Sequence, residues 1–419
     1  MNILLDGLNF ELQRGTGIKT YSRSVVAALH AAGHSVDILS QARFIVSGNE
    51  SPLVAYTKAT TGQSQQRKSL VQKILDEAKA ANSGFRGRIS LSDAAERQKL
   101  VDALAAEWAF IDHLQVSPGL FLKSFAKAGL GMGLTKAPGT HDIFFLTSPI
   151  PVRQPGAMNV LTVHDVIPLS HPHLVASSSL VSRALKRTLQ YSLASADKVI
   201  CVSETSKQEM LKLFKVDERK LHVVYQPCRF SLMQEQPVSH DPAILQELGL
   251  GDEPYVLFLG AIEPKKNLLN LLKAIEQHPD IPNLVVIGQF AWSSDREKAM
   301  IDKLGARVKH LGYLNENQMQ AALSNAKAFV FPSIIEGFGL PVLEALWKGI
   351  PCVISDIPVF RELFSGKAIL VQPDEPDSIA AGIQQAIHQE QDKTLQVQKE
   401  IRSHFSLESF SQQLVEVLQ

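Results

Sequence analysis

Two glutamates flank a glycine-rich turn in the segment 332–351, which reads PSIIEGFGLPVLEALWKGIP. An apolar strand is predicted to end here, and Pro341 stands where the first residue of the next helix is expected. A helix N-terminus behind a glycine turn leaves backbone N–H groups free and binds anions such as a diphosphate. Glu336 precedes this turn, and Glu344 follows in the helix. The segment therefore predicts an anion site with a carboxylate on either side.

Carboxylates beside a phosphate repel it unless they accept hydrogen bonds from other groups, and sugar hydroxyls are suitable donors. A nucleoside diphosphate sugar has hydroxyls at both ends, so we pair Glu336 with a transferred sugar and Glu344 with the ribose. Taken singly, a solvated loop acid explains Glu336, and favourable placement near the helix dipole explains Glu344.

Two adjacent lysines, Lys265 and Lys266, follow a predicted strand in the segment GAIEPKKN. At the start of a helix they can meet a diphosphate and stabilise the negative charge that grows on a departing phosphate. A solvated helix cap is the alternative, because adjacent lysines are common on protein surfaces.

Glycines and a histidine follow strands in the first half of the chain. Gly15 and Gly17 form a turn through which backbone can approach a phosphate or sugar, and an ordinary tight turn explains them equally well. His164 can hydrogen-bond a sugar hydroxyl, although a lone His-Asp pair is more often structural. The sequence GTG at residues 15–17 is not a full GxGxxG motif, and Leu39 stands where a dinucleotide-binding domain has an acidic residue at the end of its second strand. Binding of a nicotinamide dinucleotide is therefore poorly supported.

Short apolar runs alternate with helical spacing, which is typical of an α/β fold with parallel sheets. The first set of predicted strands covers residues 2–6, 35–39, 142–147, 159–163, 198–202 and 221–225. The second set covers residues 255–259, 283–287, 308–311, 328–331, 352–354 and 369–371. Two successive sets predict two doubly wound, Rossmann-like domains facing a cleft, with ligands at the carboxyl ends of the strands.

The predicted divisions are an N-terminal domain at 1–238, a C-terminal domain at 239–403 and a last helix at 404–419 that packs back on the N-terminal domain. Within the first domain, residues 48–138 are polar, with helical patterns at 66–80 and 92–114. We interpret this stretch as an insertion.

The chain has 419 residues, with 42 basic and 42 acidic side chains. Its formal net charge of zero provides no global field for nucleic acid, so no nucleic-acid partner is expected. Its three cysteines lie far apart and form no metal-ligand spacing, which predicts a reducing compartment and no structural zinc. The sequence has no signal-peptide pattern and no window of about 18 apolar residues, so we expect a cytoplasmic protein.

Taken together, these segments resemble the retaining glycosyltransferases of family 4, in their mannosyltransferase-like branch. The strongest element is the E-x7-E signature, Glu336-GFGLPVL-Glu344, and GAIEPKKN, VHDVIPL, CVSETSKQEM and HLGYLNENQM match further family segments in order. The resemblance spans nearly the whole chain. It implies the GT-B fold, a nucleotide-sugar donor, retention at the anomeric carbon, and neither a catalytic metal nor another cofactor.

The resemblance also implies a role for each matching residue. It assigns the diphosphate to the two lysines, the ribose to Glu344, and the donor sugar to Glu336 and the backbone that follows it. The implied catalytic residues are Glu336, Lys266 and His164. The implied donor-binding residues are Gly15, Gly17, Lys265, Gly337, Phe338, Gly339, Leu340 and Glu344.

Many family members carry arginine where this chain has Lys265, so a bidentate phosphate contact is replaced by a point charge. Both acids lie on the donor side, and we therefore do not assign Glu336 as a nucleophile. The mechanism we favour is front-face attack, in which a donor phosphate oxygen takes the acceptor proton while the lysines stabilise the leaving diphosphate.

The expected reaction is transfer of mannose or a related sugar from a GDP-sugar to a saccharide or lipid-linked acceptor in surface polysaccharide or glycolipid assembly. A nucleotide-sugar epimerase of the same fold and a non-catalytic nucleotide-sugar-binding module are the alternatives. Residues 118–136 combine apolar side chains at helical spacing with three lysines and no acid, which suits peripheral contact with an anionic membrane. An amphipathic helix that covers the sheet is the simpler interpretation.

Overall fold

The computed structural model describes residues 1–11, 17–42, 44, 46, 51–61, 85–104, 106–175, 179–232, 242–251 and 253–419. These residues form two large sheets of mainly parallel strands with helices packed on both faces, and one separate pair of short strands. Strands such as Tyr255–Leu259 are almost continuously apolar and buried, as expected where helices cover both faces of a sheet.

The first sheet has the strand order β10-β9-β8-β6-β1-β2-β4-β3, and only β3 runs antiparallel to its neighbour. Its strands are β1 (Asn2–Asp6), β2 (Ser35–Ser40), β3 (Gly87–Ser90), β4 (His113–Val116), β6 (Ile143–Leu146), β8 (Met158–Val163), β9 (Lys198–Cys201) and β10 (Leu221–Val223). Two short strands, β5 (Thr135–Lys136) and β7 (Val152–Arg153), pair with each other.

The second sheet has the order β13-β12-β11-β14-β15-β16 and is wholly parallel. Its strands are β11 (Tyr255–Leu259), β12 (Asn283–Ile287), β13 (Val308–Gly312), β14 (Ala328–Phe331), β15 (Cys352–Ser355) and β16 (Ile369–Val371). The strand order reverses direction at β1 in the first sheet and at β11 in the second. Ligands of open α/β sheets bind beyond the carboxyl ends of the strands at such points.

The helices of the first half are α1 (Gly17–Ala31), α2 (Pro52–Thr61), α3 (Ala94–Ala103), α4 (Leu120–Gly129), α5 (Ile167–Ser170), α6 (Ser179–Ser195) and α7 (Glu204–Leu213). Those of the second half are α8 (Pro242–Glu247), α9 (Leu268–Gln277), α10 (Asp295–Leu304), α11 (Glu316–Ser324), α12 (Leu340–Trp347), α13 (Pro358–Phe364), α14 (Pro376–Ile387), α15 (Gln391–His404) and α16 (Leu407–Leu418). Short 3-10 turns cover Ala106–Phe110, Pro172–Leu174, Glu218–Lys220, Arg229–Leu232, Pro264–Lys266 and Gly305–Arg307.

The last helix, α16, packs against α1 of the first half. Ser406 caps it by accepting a hydrogen bond from the backbone N–H of Ser409. Its apolar face, with Phe410 and Leu414, joins the core of the first sheet, and the Phe410 ring lies 5.9 Å from that of Tyr21. The chain therefore returns to the first sheet after completing the second.

The interpretation of residues 48–138 as a helical insertion is wrong in part, because β3 and β4 belong to the main sheet. The helix predicted over 92–114 ends at Ala103, and His113–Val116 is a strand parallel to β2. Leu114 and Val116 are buried while the residues that alternate with them are partly exposed, which is strand periodicity. The helix predicted at 66–80 and the boundary predicted between 238 and 239 lie outside the described residues.

Within the part of the chain that the structure describes, none of the helices has the length and apolar character needed to span a bilayer.

Candidate functional site

The glycine-rich turn lies at the carboxyl end of β14 and leads into α12. Gly339 precedes the helix with a φ of 105°, a conformation that residues with a Cβ rarely adopt. A Cβ at this position would also lie 2.6 Å from Cε1 of Phe360. Helix α12 begins at Leu340, so Pro341 is its second residue and not its first. The turn leads directly into the N-terminus of α12, a position where an anion is favoured.

Lys266 and Glu336 form an ion pair, although they are 70 residues apart in the chain. The Lys266 Nζ atom lies 2.6 Å from Oε1 of Glu336 and 4.7 Å from the ring centre of Phe331. Lys266 ends a 3-10 turn after β11, and Glu336 follows β14, so neighbouring parallel strands bring them to one edge. The side chains are 13% and 9% exposed, so solvent screens the pair only weakly.

Lys265 lies among carboxylates. Its Nζ atom is 3.5 Å from Oε1 of Glu263. Burial alone disfavours the ammonium, but the carboxylates of Glu336, Glu263 and Asp165 outweigh that effect and raise the pKa of Lys265. Lys265 is therefore cationic throughout the physiological range and available to an anionic ligand.

Asp165 belongs to this group of charges, although the sequence assigned it no role. Its Oδ1 atom accepts a hydrogen bond from the backbone N–H of Ile167. Burial raises the pKa of Asp165, while the positive charge of Lys265 opposes the rise. Its place directly after His164, at the end of β8, is the signal that could have identified it.

His164 faces the same loop from the first sheet. Its Nε2 atom donates to the carbonyl oxygen of Thr147 at 3.0 Å, and its ring lies edge-on to Tyr21 at 4.8 Å. Burial lowers the pKa of His164 to about 4, with the hydrogen bond to Thr147 opposing the shift. The imidazole is therefore neutral at pH 7, and the Nδ1 atom keeps a lone pair that can accept a hydrogen bond.

The two halves of the molecule meet at Gly337. A Cβ there would lie 2.6 Å from the carbonyl oxygen of His164, so only glycine allows this approach. The Ser203 hydroxyl donates to the carbonyl oxygen of Gly337 at 2.8 Å. Gly17, the first residue of α1, is equally close to the second half, since a Cβ there would lie 2.8 Å from Cδ1 of Leu340. Gly15 lies outside the described residues.

Glu362 of α13 forms a second contact between the halves. Its carboxylate accepts hydrogen bonds from the backbone N–H groups of Glu204 and Thr205, at 2.7 and 2.9 Å, and from the Thr205 hydroxyl at 2.7 Å. A carboxylate at a helix N-terminus is electrostatically favoured, so Glu362 ties α7 to the second half. No local sequence signal indicates this pairing.

Glu344 has a different set of neighbours, on the first turns of α12. Its Oε1 atom lies 2.9 Å from Nε of Arg229, and Nη1 of Arg229 donates to Oε2 of Glu316 at 2.9 Å. Burial raises the pKa of Glu344, and the guanidinium of Arg229 opposes that rise. Sequence reasoning missed Arg229, which lies in the segment between the two sheets.

The side chain of Phe338 points away from this site. It is buried in the core of the second sheet, between the rings of Tyr225 and Phe405. The donor-binding assignment of Phe338 stays a prediction, and it can concern only the main chain of this residue. Over the described residues, no group of three or more His, Cys, Asp or Glu side chains has an arrangement that could hold a metal ion.

Comparisons with known proteins match both halves of the chain. The family model for group 1 glycosyl transferases matches residues 241–404, and that for glycosyltransferase family 4 matches residues 140–228, together more than half of the chain.

Two curated relatives are similar to just over half of this chain. O-antigen chain mannosyltransferase B of Escherichia coli is 29% identical, over 54% of this chain and 61% of its own length. The O-antigen chain mannosyltransferase RfbU of Salmonella typhimurium is 30% identical, over 53% of this chain and 59% of its own length. The chain thus matches about three fifths of the length of each relative.

The solved structure of Anabaena Alr3699/HepE in complex with UDP-glucose is similar over 100% of this chain and 99% of its own, with a TM-score of 0.64 and 17% identity. At this identity the similarity shows the fold. The predicted GT-B arrangement of two Rossmann-like domains is confirmed.

Proposed function

The chain belongs to the group 1 and family 4 glycosyltransferases, and on this premise we propose that it transfers mannose or a related sugar from a GDP-sugar to a saccharide or lipid-linked saccharide. The mannose assignment is supported by the relatives that carry the name O-antigen chain mannosyltransferase. Their name also supports a role in the assembly of surface polysaccharide.

The observation that carries the proposal is the Lys266–Glu336 pair, in which Glu336 directly precedes Gly337 at its contact with His164 of the other half. A cation, a carboxylate and a helix N-terminus converge there between the two sheets. Lys265, Lys266 and the N-terminus of α12 supply positive potential to a diphosphate. Glu336 and the neutral His164 supply acceptors for sugar hydroxyls.

The proposed reaction proceeds with retention and without a metal ion. The bond from the anomeric carbon to the diphosphate breaks, and the lysines stabilise the charge that the leaving group gains. The acceptor oxygen attacks from the same face and forms the new glycosidic bond. Its proton passes to an oxygen of the departing phosphate, so no side chain acts as nucleophile.

We include peripheral contact with an anionic membrane through residues 118–136 in this proposal. The inner face of α4, with Phe121 and Ala128, is buried, while Leu122, Leu130 and Met132 are exposed. The helix therefore covers the sheet, and the exposed apolar side chains are Leu122 on the helix and the two residues Leu130 and Met132 that follow it.

Helix α6 extends this outer surface. Its Arg187 donates to the carbonyl oxygen of Gly129, and Tyr191 donates to that of Gly131. The stretch 166–196 contains no acidic residue, and Leu180 is 69% exposed. Apolar and basic side chains without acids favour an anionic bilayer surface. Co-sedimentation with vesicles that contain phosphatidylglycerol is expected, and equal binding to purely zwitterionic vesicles would contradict the electrostatic argument.

A thermal-shift panel of GDP, UDP, ADP and their sugars tests the donor assignment. A ligand at one hundred times its Kd stabilises the folded state by about 2.7 kcal/mol, so the preferred nucleotide stands out clearly. GDP-mannose is the expected best ligand, and the absence of stabilisation by every nucleotide would refute the proposal.

Product analysis with and without an acceptor separates transfer from epimerisation, because an epimerase converts the nucleotide sugar alone.

A further inference from the structure

Arg229 lies where the two halves are joined. It begins a 3-10 turn in the segment between β10 and β11. The backbone N–H of its neighbour Cys228 donates to the carbonyl oxygen of Phe405, in the segment that carries the chain back to α16. Both connections between the halves therefore pass beside Arg229, which reaches Glu344 from a segment that belongs to neither sheet.

The guanidinium bridges two carboxylates. Nε lies 2.9 Å from Oε1 of Glu344, and Nη1 lies 2.9 Å from Oε2 of Glu316. Glu344 is nearly buried, with 10% of its side chain exposed, whereas 41% of the Glu316 side chain is exposed. An ionised carboxylate in such a place needs a charged partner, since an unpaired buried charge is costly. Among the described residues, Arg229 provides the ion pair to Glu344.

One guanidinium contact leaves Glu344 with free acceptor sites. An ionised carboxylate offers about four lone-pair positions, and Arg229 uses the Oε1 side. Vicinal hydroxyl groups need acceptors in a fixed orientation, and the guanidinium, which Glu316 holds on its other side, restrains the Oε1 atom of the carboxylate. The position of the Glu344 carboxylate relative to the hydroxyl groups therefore depends on Arg229.

We propose that Arg229 is a positioning residue for nucleotide recognition: it holds the Glu344 carboxylate ionised and oriented so that the carboxylate accepts hydrogen bonds from the ribose hydroxyls. This inference rests on the proposed function, because it takes Glu344 as the ribose contact. Arg229 itself contacts Glu344 and Glu316, not the reacting atoms. It acts on donor binding and leaves the chemical step unchanged.

The test is Arg229→Gln, which removes the charge but keeps a hydrogen-bond donor of similar reach. Binding of GDP-mannose, measured by calorimetry at pH 8, is expected to weaken by about tenfold, as for loss of one charged hydrogen-bonded contact. Because ground state and transition state use the ribose contact equally, KM for the donor rises and kcat stays within about twofold. Arg229→Lys, which restores the charge, should recover at least part of the affinity.

The pH profile separates positioning from a purely structural role. Burial raises the pKa of Glu344 and Arg229 opposes it, so loss of Arg229 raises that pKa further. The other groups that face this pair are Glu316, the Cys228 thiol and the Lys348 ammonium. As the pH is lowered from 8, the donor affinity of Arg229→Gln should fall more steeply than that of the wild type. In the Glu344→Gln background the Arg229 substitution should have no further effect.

Matched variants keep the test decisive. Arg219→Gln, at a side chain that is 90% exposed, is the control for arginine loss and should bind like the wild type. If Arg229→Gln fails to fold, the double variant with Glu316→Gln restores the net charge of the group and is measured instead. Wild-type affinity and pH profile in the Arg229 variant, or losses that add fully to those of Glu344→Gln, would overturn the inference. Failure of the wild type to bind any nucleotide sugar would instead refute the proposed function.

Discussion

Replacement of Lys266 by glutamine tests the centre of the proposed site. The substitution removes one charged contact to the diphosphate, and hydrogen bonds to charged groups contribute about 1.5–3 kcal/mol. Affinity for the nucleoside diphosphate should therefore fall by about 10- to 100-fold. Affinity for the nucleoside, which lacks the phosphates, should not change. Calorimetric titration of both ligands into wild type and variant measures the difference.

A second effect of the same substitution has to be separated from the first. Lys266 is 2.6 Å from the nearly buried carboxylate of Glu336, so its loss leaves that charge unpaired. The free energy of unfolding should fall by about 1–3 kcal/mol, the cost of an unsatisfied buried group. Glu336→Gln in the same chain relieves this cost, because a neutral amide replaces the carboxylate. The double variant should recover stability.

The double variant also decides between two roles for the lysine. If Lys266 binds phosphate, the double variant remains about as weak for the nucleoside diphosphate as Lys266→Gln, while Glu336→Gln alone stays within about threefold of the wild type. Recovery of diphosphate affinity together with stability would show that Lys266 serves only to neutralise Glu336. That result would refute the phosphate assignment.

Three further substitutions test other parts of the site. Glu344→Gln should weaken nucleoside and nucleoside diphosphate alike by about tenfold in calorimetry, since both carry the ribose, and unchanged affinity would contradict the ribose role. Gly337→Ala places a Cβ 2.6 Å from the carbonyl oxygen of His164. Sugar transfer should fall by about tenfold or more while nucleoside diphosphate binding persists, whereas Gly251→Ala, which meets open space, should have no effect. The pKa of His164 falls from 6.5 to about 4 on folding. The buried neutral imidazole therefore contributes fully to the free energy of unfolding above pH 6.5, and this contribution is lost as the pH drops towards 4. Denaturant titrations of wild type and His164→Gln across this range should diverge by about 3 kcal/mol, and parallel profiles would contradict the burial of a neutral imidazole.

The strands were predictable because helices cover both faces of each sheet. Runs such as NLVVI at β12 are apolar at nearly every position, a signal that survives without tertiary information. Strand β4 was missed because it reads HLQV, in which polar and apolar residues alternate over only four positions within a polar stretch. Its assignment depends on pairing with β2, which the sequence alone does not display.

The residues of the site were predictable singly, but their partners were not. Lys266 and Glu336 each follow a strand, and the parallel arrangement of β11 and β14 places them at one edge. The contacts of Arg229 and Glu362 join segments more than 80 residues apart through charge alone. Such pairs follow no regular spacing in the sequence, so only the folded structure shows them.

The balance of charge around the donor site leads to a last prediction, for Asp165. Two lysines face three carboxyl groups there, those of Glu336, Glu263 and Asp165. Burial already raises the pKa of Asp165, and the charge of Lys265 opposes it. A diphosphate that engages Lys265 removes this opposition and adds negative charge, so the pKa of Asp165 rises further and the carboxyl takes up a proton.

Calorimetry of GDP-mannose binding near pH 6, in buffers with different heats of ionisation, measures this proton uptake directly. The wild type should take up a fraction of a proton that declines as the pH rises, and Asp165→Asn should take up less. The matched control is Asp142→Asn, at the opposite end of the first sheet, which should take up as much as the wild type. Equal uptake by the wild type and Asp165→Asn would show that the diphosphate does not draw Lys265 away from Asp165.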